Sequence, residues 1–178
     1  MLGYEFVFLI AFIFYMIILS VFLIKKLSIG KIIFYSLFYF YVIAVFAITL
    51  FPIPIAGLDE IAKYGGQNNN FILFHSIFEI LFDKHLYYLI KIKQILGNII
   101  LFVPLGFFLG ILGEKNNLKK VVFISFLFAI FIECIQGSIG LVLGFQYRSM
   151  DIDDVFLNIL GGMFGFCLYK ISKKIYSK

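Results

Sequence analysis

The sequence is poor in charged side chains: only 14% of its residues are Asp, Glu, Lys or Arg, whereas 63% are hydrophobic. A chain with so little polar surface cannot be a soluble globular protein. The sequence also lacks a Walker loop, a GxSxG elbow, a zinc signature and a Cys/His pair, so common ATPase, hydrolase and zinc-enzyme templates have no support. We predict no cofactor and no metal site.

Cysteine and tryptophan are also scarce, with two cysteines and no tryptophan. Cys134 and Cys167 fall about 20 Å apart in depth in the predicted helices, at about 1.5 Å per residue. A disulfide needs Cα atoms within about 7 Å, so we interpret both cysteines as small apolar residues. Because there is no tryptophan, we expect the aromatic belt at the membrane surface to consist of tyrosines such as Tyr4, Tyr35, Tyr147, Tyr169 and Tyr176.

The sequence contains several long apolar runs. Runs of 17 or more residues without Lys or Arg, with a mean hydropathy of +1.07, predict a polytopic membrane protein. The runs are apolar on every face instead of alternating with period 2, so we expect helices and not β-barrel strands. The prediction is an all-α fold, with residues 1–178 as a single membrane domain and five spans at about 4–24, 32–51, 95–113, 121–136 and 154–171.

The longest connection between spans, residues 52–94, predicts one further helix. His75, Glu79 and Asp83 recur at helical spacing on one face of residues 71–93, while Phe, Ile and Leu fill the other face. This pattern is typical of an amphipathic helix that lies in the membrane interface or re-enters the membrane. His75 and Glu79 have the spacing of two metal ligands, but without a third ligand a solvated helix face is the favoured interpretation.

The distribution of lysines predicts the orientation. The two short loops and the C-terminal tail hold ten lysines and a single acid, Glu114. The lysines are Lys25, Lys26, Lys31, Lys115, Lys119, Lys120, Lys170, Lys173, Lys174 and Lys178. The positive-inside rule then places the N-terminus outside and the C-terminus in the cytoplasm of a bacterial cell. Topology thus accounts for the net charge of +5, and no nucleic-acid partner is needed.

A cluster of polar and ionisable side chains interrupts the apolar chain, mostly between residues 132 and 165. Ionisable groups in or beside a bilayer are costly, so such a cluster is expected at a functional site. With the predicted orientation, the whole cluster falls in the outer leaflet or at its surface. The predicted ligand-binding residues are Asn98, Glu133, Gln136, Arg148, Asp151, Asp153, Asp154 and Asn158.

Glycine pairs with small-xxx-small spacing occur in the third and fifth spans and just after the fourth, and this spacing lets helices approach closely. The pairs are Gly106/Gly110, Gly140/Gly144 and Gly161/Gly165. We therefore expect the third, fourth and fifth spans to pack around the polar cluster. For residues 137–147 two conformations are open, either a continuation of the fourth helix or a partly inserted hairpin.

These residues resemble the VanZ-like family of bacterial membrane proteins, named for a member linked to resistance to the glycopeptide teicoplanin. The resemblance covers roughly residues 30–172. It is carried by Gly97-Asn98, by the run Leu101-Phe102-Val103-Pro104-Leu105-Gly106-Phe107, and by Glu133, Gln136, Arg148, Asp151, Asp153, Asp154, Asn158, Gly161, Gly162 and Gly165. In an upstream element, Asn70-Phe71-Ile72-Leu73-Phe74, Leu73 stands where the family has proline. The resemblance implies a role in lipoglycopeptide resistance or cell-surface change, without an established catalytic mechanism.

Two classes of function are open. In the first, the outer polar pocket binds a lipid-linked cell-wall or teichoic-type anion, or a lipoglycopeptide, and alters drug access without chemistry. In the second, Glu133 with Asp151 or Asp154 serves as acid and base on a lipid headgroup. We favour binding, because no nucleophile or metal set is complete. Membrane lipids are expected partners in either class, and oligomer formation is left open.

The same residues also have structural interpretations. Glu133 has Arg148 or Asn98 as a candidate bonding partner within the protein. The planar guanidinium of Arg148 suits a phosphate or carboxylate, but it also suits an interfacial anchor. Asp154 is explained by a place at the N-cap or in the first turn of the last helix. We expect Glu133 and Arg148 to be electrostatic partners, because an unpaired carboxylate at that depth is costly.

Overall fold

The structure, a computed structural model, describes residues 3–54, 69–84, 87–113 and 117–176. Within these ranges it contains six helices: α1 (Tyr4–Ile24), α2 (Ile29–Leu50), α3 (His75–Phe82), α4 (Tyr88–Leu112), α5 (Leu118–Leu143) and α6 (Ile152–Tyr176). All except α3 are long and apolar enough to cross a membrane. The predicted all-α membrane protein with five candidate spans is confirmed.

The chain divides into two compact units, residues 1–63 and residues 64–178. Within the first unit, α1 and α2 form a hairpin, and α1 has the bounds that the sequence predicts. The Tyr39 hydroxyl donates to the Ala11 carbonyl over 2.7 Å, and Tyr15 and Ser36 share a hydrogen bond of 2.8 Å. Hydroxyl groups thus join two helices whose other side chains are almost all apolar.

Helices α4 and α6 of the second unit pack with their backbones in contact. A Cβ atom built on Gly161 would lie 2.1 Å from the carbonyl oxygen of Ile99. One built on Gly165 would lie 1.9 Å from the carbonyl oxygen of Val103, one turn further along both helices. Only glycine fits at such positions, so the predicted close approach occurs here.

Helix α5 approaches α6 through a different small residue. A Cβ atom on Gly162 would lie 2.1 Å from Oγ of Ser125, a fully buried residue of α5. The Gly140/Gly144 pair, in contrast, does not serve helix packing. The nearest neighbours of a Cβ on Gly140 would be Phe145 and Gln146, and Gly144 ends α5 in the left-handed conformation, with φ of +75°.

The region predicted as one amphipathic helix over residues 71–93 is instead divided. Helix α3 covers only eight residues, and Asp83, which follows it, is extended. The third span begins at Tyr88, well before the predicted start at residue 95. Lys91 is compatible with a spanning helix, because a lysine near a helix end can extend its ammonium group out of the apolar region. Here Lys91 Nζ donates to the carbonyl of Leu81 over 2.9 Å. Residues 55–68 and 85–86 of the predicted loop lie outside the described ranges.

Helices α5 and α6 are also longer than predicted. Helix α5 continues past its predicted end at residue 136 and ends at Leu143. Of the two conformations left open for residues 137–147, the continued helix is therefore found for residues 137–143. Helix α6 extends the predicted 154–171 at both ends. An α-helix satisfies its own backbone hydrogen bonds in water and in hydrocarbon, so its ends need not coincide with the ends of an apolar run.

The first turn of α6 is recessed between its two neighbours. The Asp151 N–H donates to Oε2 of Glu133 over 2.8 Å, and Asn98 Nδ2 donates to Oδ1 of Asp154. Glu133 lies ten residues before the end of α5, and Asn98 lies ten residues after the start of α4. At 1.5 Å per residue, each neighbour extends about 15 Å beyond the start of α6. Non-helical residues 69–74 and 144–151 occupy this recess, where protein groups can satisfy their backbones.

The glycine contacts predict opposite effects for two alanine substitutions in α4. A Cβ atom on Gly106 would lie 1.8 Å from the carbonyl oxygen of Gly162, whereas one on Gly97 would meet nothing within 4 Å. We expect Gly106→Ala to lower stability by about 1–3 kcal/mol through overpacking. Gly97→Ala should raise it by about 0.5–1 kcal/mol through helix propensity. Thermal unfolding followed by circular dichroism in one detergent provides the comparison, and equal midpoints for the two variants would contradict the packing described.

Candidate functional site

The site is built on a backbone pairing between two loops that are far apart in sequence. Asn70 and Asp151 form an isolated parallel β-bridge. The Asn70 N–H donates to the Met150 carbonyl over 2.8 Å, and the Ile152 N–H donates to the Asn70 carbonyl over 3.0 Å. The segment before α3 is therefore held directly against the start of α6.

Two asparagine side chains reinforce this pairing. Asn70 Nδ2 donates to Asp151 Oδ1 over 2.9 Å and to Ser76 Oγ over 3.0 Å. Asn69 Oδ1 accepts from the Met150 N–H over 2.9 Å and also from Gln146 Nε2. Each amide thus joins residues 69–76 to the segment that leads from α5 to α6.

Asp151 and Asp153 supply acceptors to the first turns of two helices. Asp151 caps α6, because its Oδ1 accepts from the Asp153 N–H over 2.8 Å. Asp153, only 1% exposed, accepts from the Phe74 N–H through Oδ1 and from the Ile77 N–H over 3.1 Å through Oδ2. Both oxygens of Asp153 are thus engaged at the start of α3, where a negative charge is also favoured by the helix dipole.

Glu133 and Asp154 are the two acids that face each other across the recess. Glu133 is 5% exposed and accepts from the Asp151 N–H, while Asp154 accepts from Asn98. The two carboxylates repel each other, and the positive charge of Arg148 attracts both. Coulombic interactions are stronger where water is largely excluded, so the charge of Arg148 acts on both acids, of which Glu133 is buried and Asp154 is half-buried.

Tyr147, which precedes this arginine, is 4% exposed in the segment between α5 and α6. Burial raises the pKa of its phenol above the ordinary value of 10.0, and the positive charge of Arg148 opposes this rise. The hydroxyl therefore stays protonated at neutral pH. It can serve as a neutral hydrogen-bond donor beside the acids.

Asn158 carries a buried acceptor that is unpaired within the described part of the chain. It is 3% exposed, and its Oδ1 has no hydrogen-bond partner there. Asn158 lies one turn after Asp154 on α6, and helical side chains lean toward the preceding turn. Leaving such a group unpaired costs about 1–3 kcal/mol, which favours a role beyond packing.

A groove of about 620 Å³ lies between the last turns of α5 and the residues that follow them. Its lining residues are Asn69, Cys134, Gly137, Ser138, Gly140, Leu141, Gly144, Phe145, Gln146 and Met150. None of the eight predicted ligand-binding residues is among them. Sequence analysis missed this groove because glycines, apolar side chains and backbone line most of it.

The comparison with protein families assigns the chain. The profile of the VanZ/LLP1 family matches residues 38–173, which begin within α2 and end near the end of α6. The chain belongs to the VanZ/LLP1 family. No curated protein and no solved structure matches it.

Within this VanZ/LLP1 region, hydrogen bonds and charge interactions bring together five of the predicted ligand-binding residues. These five are Asn98, Glu133, Arg148, Asp151 and Asp154. Asp153 turns instead toward α3, and Asn158 and Gln136 are buried on α6 and α5. Contact of Glu133, Arg148, Asp154 and Asn158 with a ligand stays a prediction.

The sequence analysis did not include Asn69 and Asn70 in the site. A signal was present, because Asn70 opens the upstream element that resembles the VanZ-like family. Leu73 replaces the proline of that element, yet the chain still turns before α3, with Phe74 in the left-handed conformation at φ of +69°. The turn is fixed by the Asn70 and Asp153 hydrogen bonds.

The interpretation of His75 and Glu79 as an exposed helix face agrees with their positions. His75 Nδ1 and Glu79 Oε2 are 3.5 Å apart, and both side chains are at least half exposed. Among the described residues, no three His, Cys, Asp or Glu side chains come together as metal ligands.

The bonds of Asp153 predict a local effect of its removal. Hydrogen bonds to a charged group contribute about 1.5–3 kcal/mol each, so Asp153→Ala should release the start of α3. Hydrogen exchange should show faster exchange at the amides of Phe74 and Ile77, while the middle of α5 remains protected. The exposed acid Glu79 provides the control, because Glu79→Ala leaves both bonds in place. Unchanged protection at Phe74 and Ile77 in Asp153→Ala would refute the capping role.

Proposed function

We propose that this VanZ/LLP1 protein binds a lipid-linked or anionic cell-envelope ligand beside the start of α6. Through this binding it lowers susceptibility to teicoplanin-type glycopeptides, which carry an acyl chain. The observation that carries the proposal is that one segment, residues 144–151, has two chemically different neighbours. On it, Arg148 interacts with the buried Glu133 and the half-buried Asp154. On the same segment, Gln146 and Met150 border an apolar groove. A polar centre and an apolar groove on one segment suit an amphiphilic ligand.

The lysine distribution supports the orientation that the proposal needs. In the second unit, lysines dominate the connection from α4 to the first turn of α5 and the end of α6, which are the ends of these helices far from the polar centre. By the positive-inside rule, this distribution supports a polar centre at the outer leaflet. Each buried CH₂ of an acyl chain contributes about 0.8 kcal/mol to membrane anchoring. A protein that binds lipid-linked groups at that surface therefore affects drugs that depend on such anchoring.

Within the proposed centre, Arg148 has a specific role. A guanidinium binds carboxylate and phosphate groups with two parallel hydrogen bonds. Because Arg148 interacts with Glu133 and Asp154, an anionic ligand group that binds Arg148 would have to compete with these two acids. Neutralising Glu133 should therefore change ligand binding even without a direct contact between Glu133 and the ligand.

Drug susceptibility provides the test of the proposal. Expression in a susceptible Gram-positive host should raise tolerance to glycopeptides with an acyl chain more than to those without one. Glu133→Gln and Arg148→Gln should remove the effect at unchanged protein level. Lys173→Gln, an exposed change in the last turns of α6, should not.

Two outcomes would contradict the proposal. Equal protection against both drug classes would mean that acyl anchoring is irrelevant to the effect. Full protection by the Glu133 and Arg148 variants would mean that the polar centre only supports the fold.

Catalysis is the second candidate, and one observation favours it. Glu133, which is buried, and Asp154, which is half-buried, interact electrostatically with each other and with Arg148, as a general acid and a general base can. If the protein is an enzyme, the purified protein should change the composition of a membrane lipid extract. Glu133→Gln and Asp154→Asn should each abolish that change, and Lys173→Gln should not. An unchanged lipid extract would exclude activity on the lipids that it contains.

A further inference from the structure

The groove between α5 and residues 144–150 lies at membrane depth. Its inner end is at Cys134, sixteen residues after the start of α5, and its outer end is at Gly144. At 1.5 Å per residue, these points lie about 24 Å and 39 Å along the helix. The hydrocarbon core of a bilayer is about 30 Å thick, so the inner end falls within hydrocarbon and the other end near the headgroups.

Polar side chains that line the groove already have partners within the protein. Ser138 Oγ donates to the carbonyl of Cys134 over 2.7 Å. Gln146 Nε2 donates to Oδ1 of Asn69, which also accepts from the Met150 N–H. Because these polar groups are already hydrogen-bonded, they do not require a polar ligand.

The lining residues carry no charge, and small residues keep the groove open. Gly137, Ser138 and Gly140 lie along the α5 side, and Leu141, Phe145 and Met150 supply apolar surface. Leu141 and its neighbour Val142 are 85% and 88% exposed, as expected for side chains in contact with lipid. The groove thus combines a neutral, apolar lining with direct access from the surrounding bilayer.

We propose that this groove holds one fatty acyl chain of a bilayer phospholipid, with the headgroup at the Gly144 end. An apolar chain gains dispersion contacts with both walls that a vacant groove would forfeit. Because the lining is uncharged, binding should depend on the chain and not on the charge of the headgroup. The proposal needs only the bilayer. It concerns the same groove on which the proposed function rests, but it does not require Arg148 or the two acids beside it.

Photo-crosslinking of the full-length protein in lipid nanodiscs tests the proposal. The probe is a phosphatidylcholine with a diazirine on one acyl chain, and a phosphatidylglycerol with the same chain is the second arm. After irradiation, peptide mass spectrometry should find adducts on residues 134–145 several-fold above those on lipid-exposed Phe123 and Leu127 of the same helix. Both headgroups should give the same pattern. Even labelling along α5, or labelling with only one headgroup, would overturn the proposal.

Two tryptophan variants on α5 provide the matched comparison. Ser138→Trp fills the groove, whereas Val142→Trp adds the same side chain at a more exposed position outside it. Ser138→Trp should lose the excess adducts and Val142→Trp should keep them. Equal adducts in the two variants would refute binding in the groove.

The native cysteines give a measurement that needs no substitution. Both are free and exposed, but only Cys134 lines the groove, so Cys167 is an internal control. Adding phospholipid to delipidated protein in detergent should slow alkylation of Cys134 by a membrane-permeant maleimide several-fold more than that of Cys167. Equal slowing at both cysteines would show general lipid coverage and would count against the proposal.

Discussion

The hydrogen bond from the Asp151 N–H to the buried Glu133 carboxylate fixes where α6 begins, and the rest of the second unit depends on that position. A helix start leaves backbone N–H groups without partners, and at membrane depth water cannot satisfy them. In this protein, carboxylates supply the acceptors. Asp151 caps α6, and Asp153 accepts from two N–H groups at the start of α3. The acids in this stretch therefore first serve to accept hydrogen bonds from the backbone N–H groups of buried, recessed helix starts.

The acids fall into two groups according to their partners. Asp151 and Asp153 are engaged with backbone N–H groups, and their loss should change the fold around them. Glu133, which also accepts from the Asp151 N–H, and Asp154 interact with each other and with Arg148, an arrangement that a charged ligand can alter. A loss of function on substitution of Asp153 would therefore say little about ligand binding. The same loss at Arg148, with the hydrogen bonds of Asp153 intact, would say much more.

Sequence patterns predict the membrane-spanning helices well and the loops poorly, for a physical reason. The apolar runs are local, so α1 is predicted with its observed bounds, and all five spans are found. The predicted start of α4 at residue 95 is too late, because the helix begins at Tyr88 and includes Lys91, whose side chain reaches the Leu81 carbonyl. The division of residues 71–93 also has a non-local cause, since α3 begins where Asp153 holds the N–H groups of Phe74 and Ile77.

The candidate site, too, could be predicted from the sequence only in part. The acids and Arg148 could be predicted to meet, because each is conspicuous in an apolar chain. The pairing of Asn70 with Asp151 joins positions 81 residues apart through backbone atoms, and no periodicity reports it. The groove is harder still to predict, because its shape comes from glycines, whose effect depends on what approaches them.

The segment between α5 and α6 connects these parts, because it contacts both kinds of surface. A Cβ atom on Gly137 would lie 2.3 Å from Sδ of Met150, so this methionine packs against α5 at the groove. The next residue, Asp151, donates its N–H to Glu133 and begins the cap of α6. Arg148 lies only two residues before Met150. An apolar chain in the groove would therefore press on the same short segment that positions the guanidinium beside the two acids. In the proposed function, an amphiphilic ligand would meet these two neighbouring surfaces together, and a polar group without a chain would meet only one.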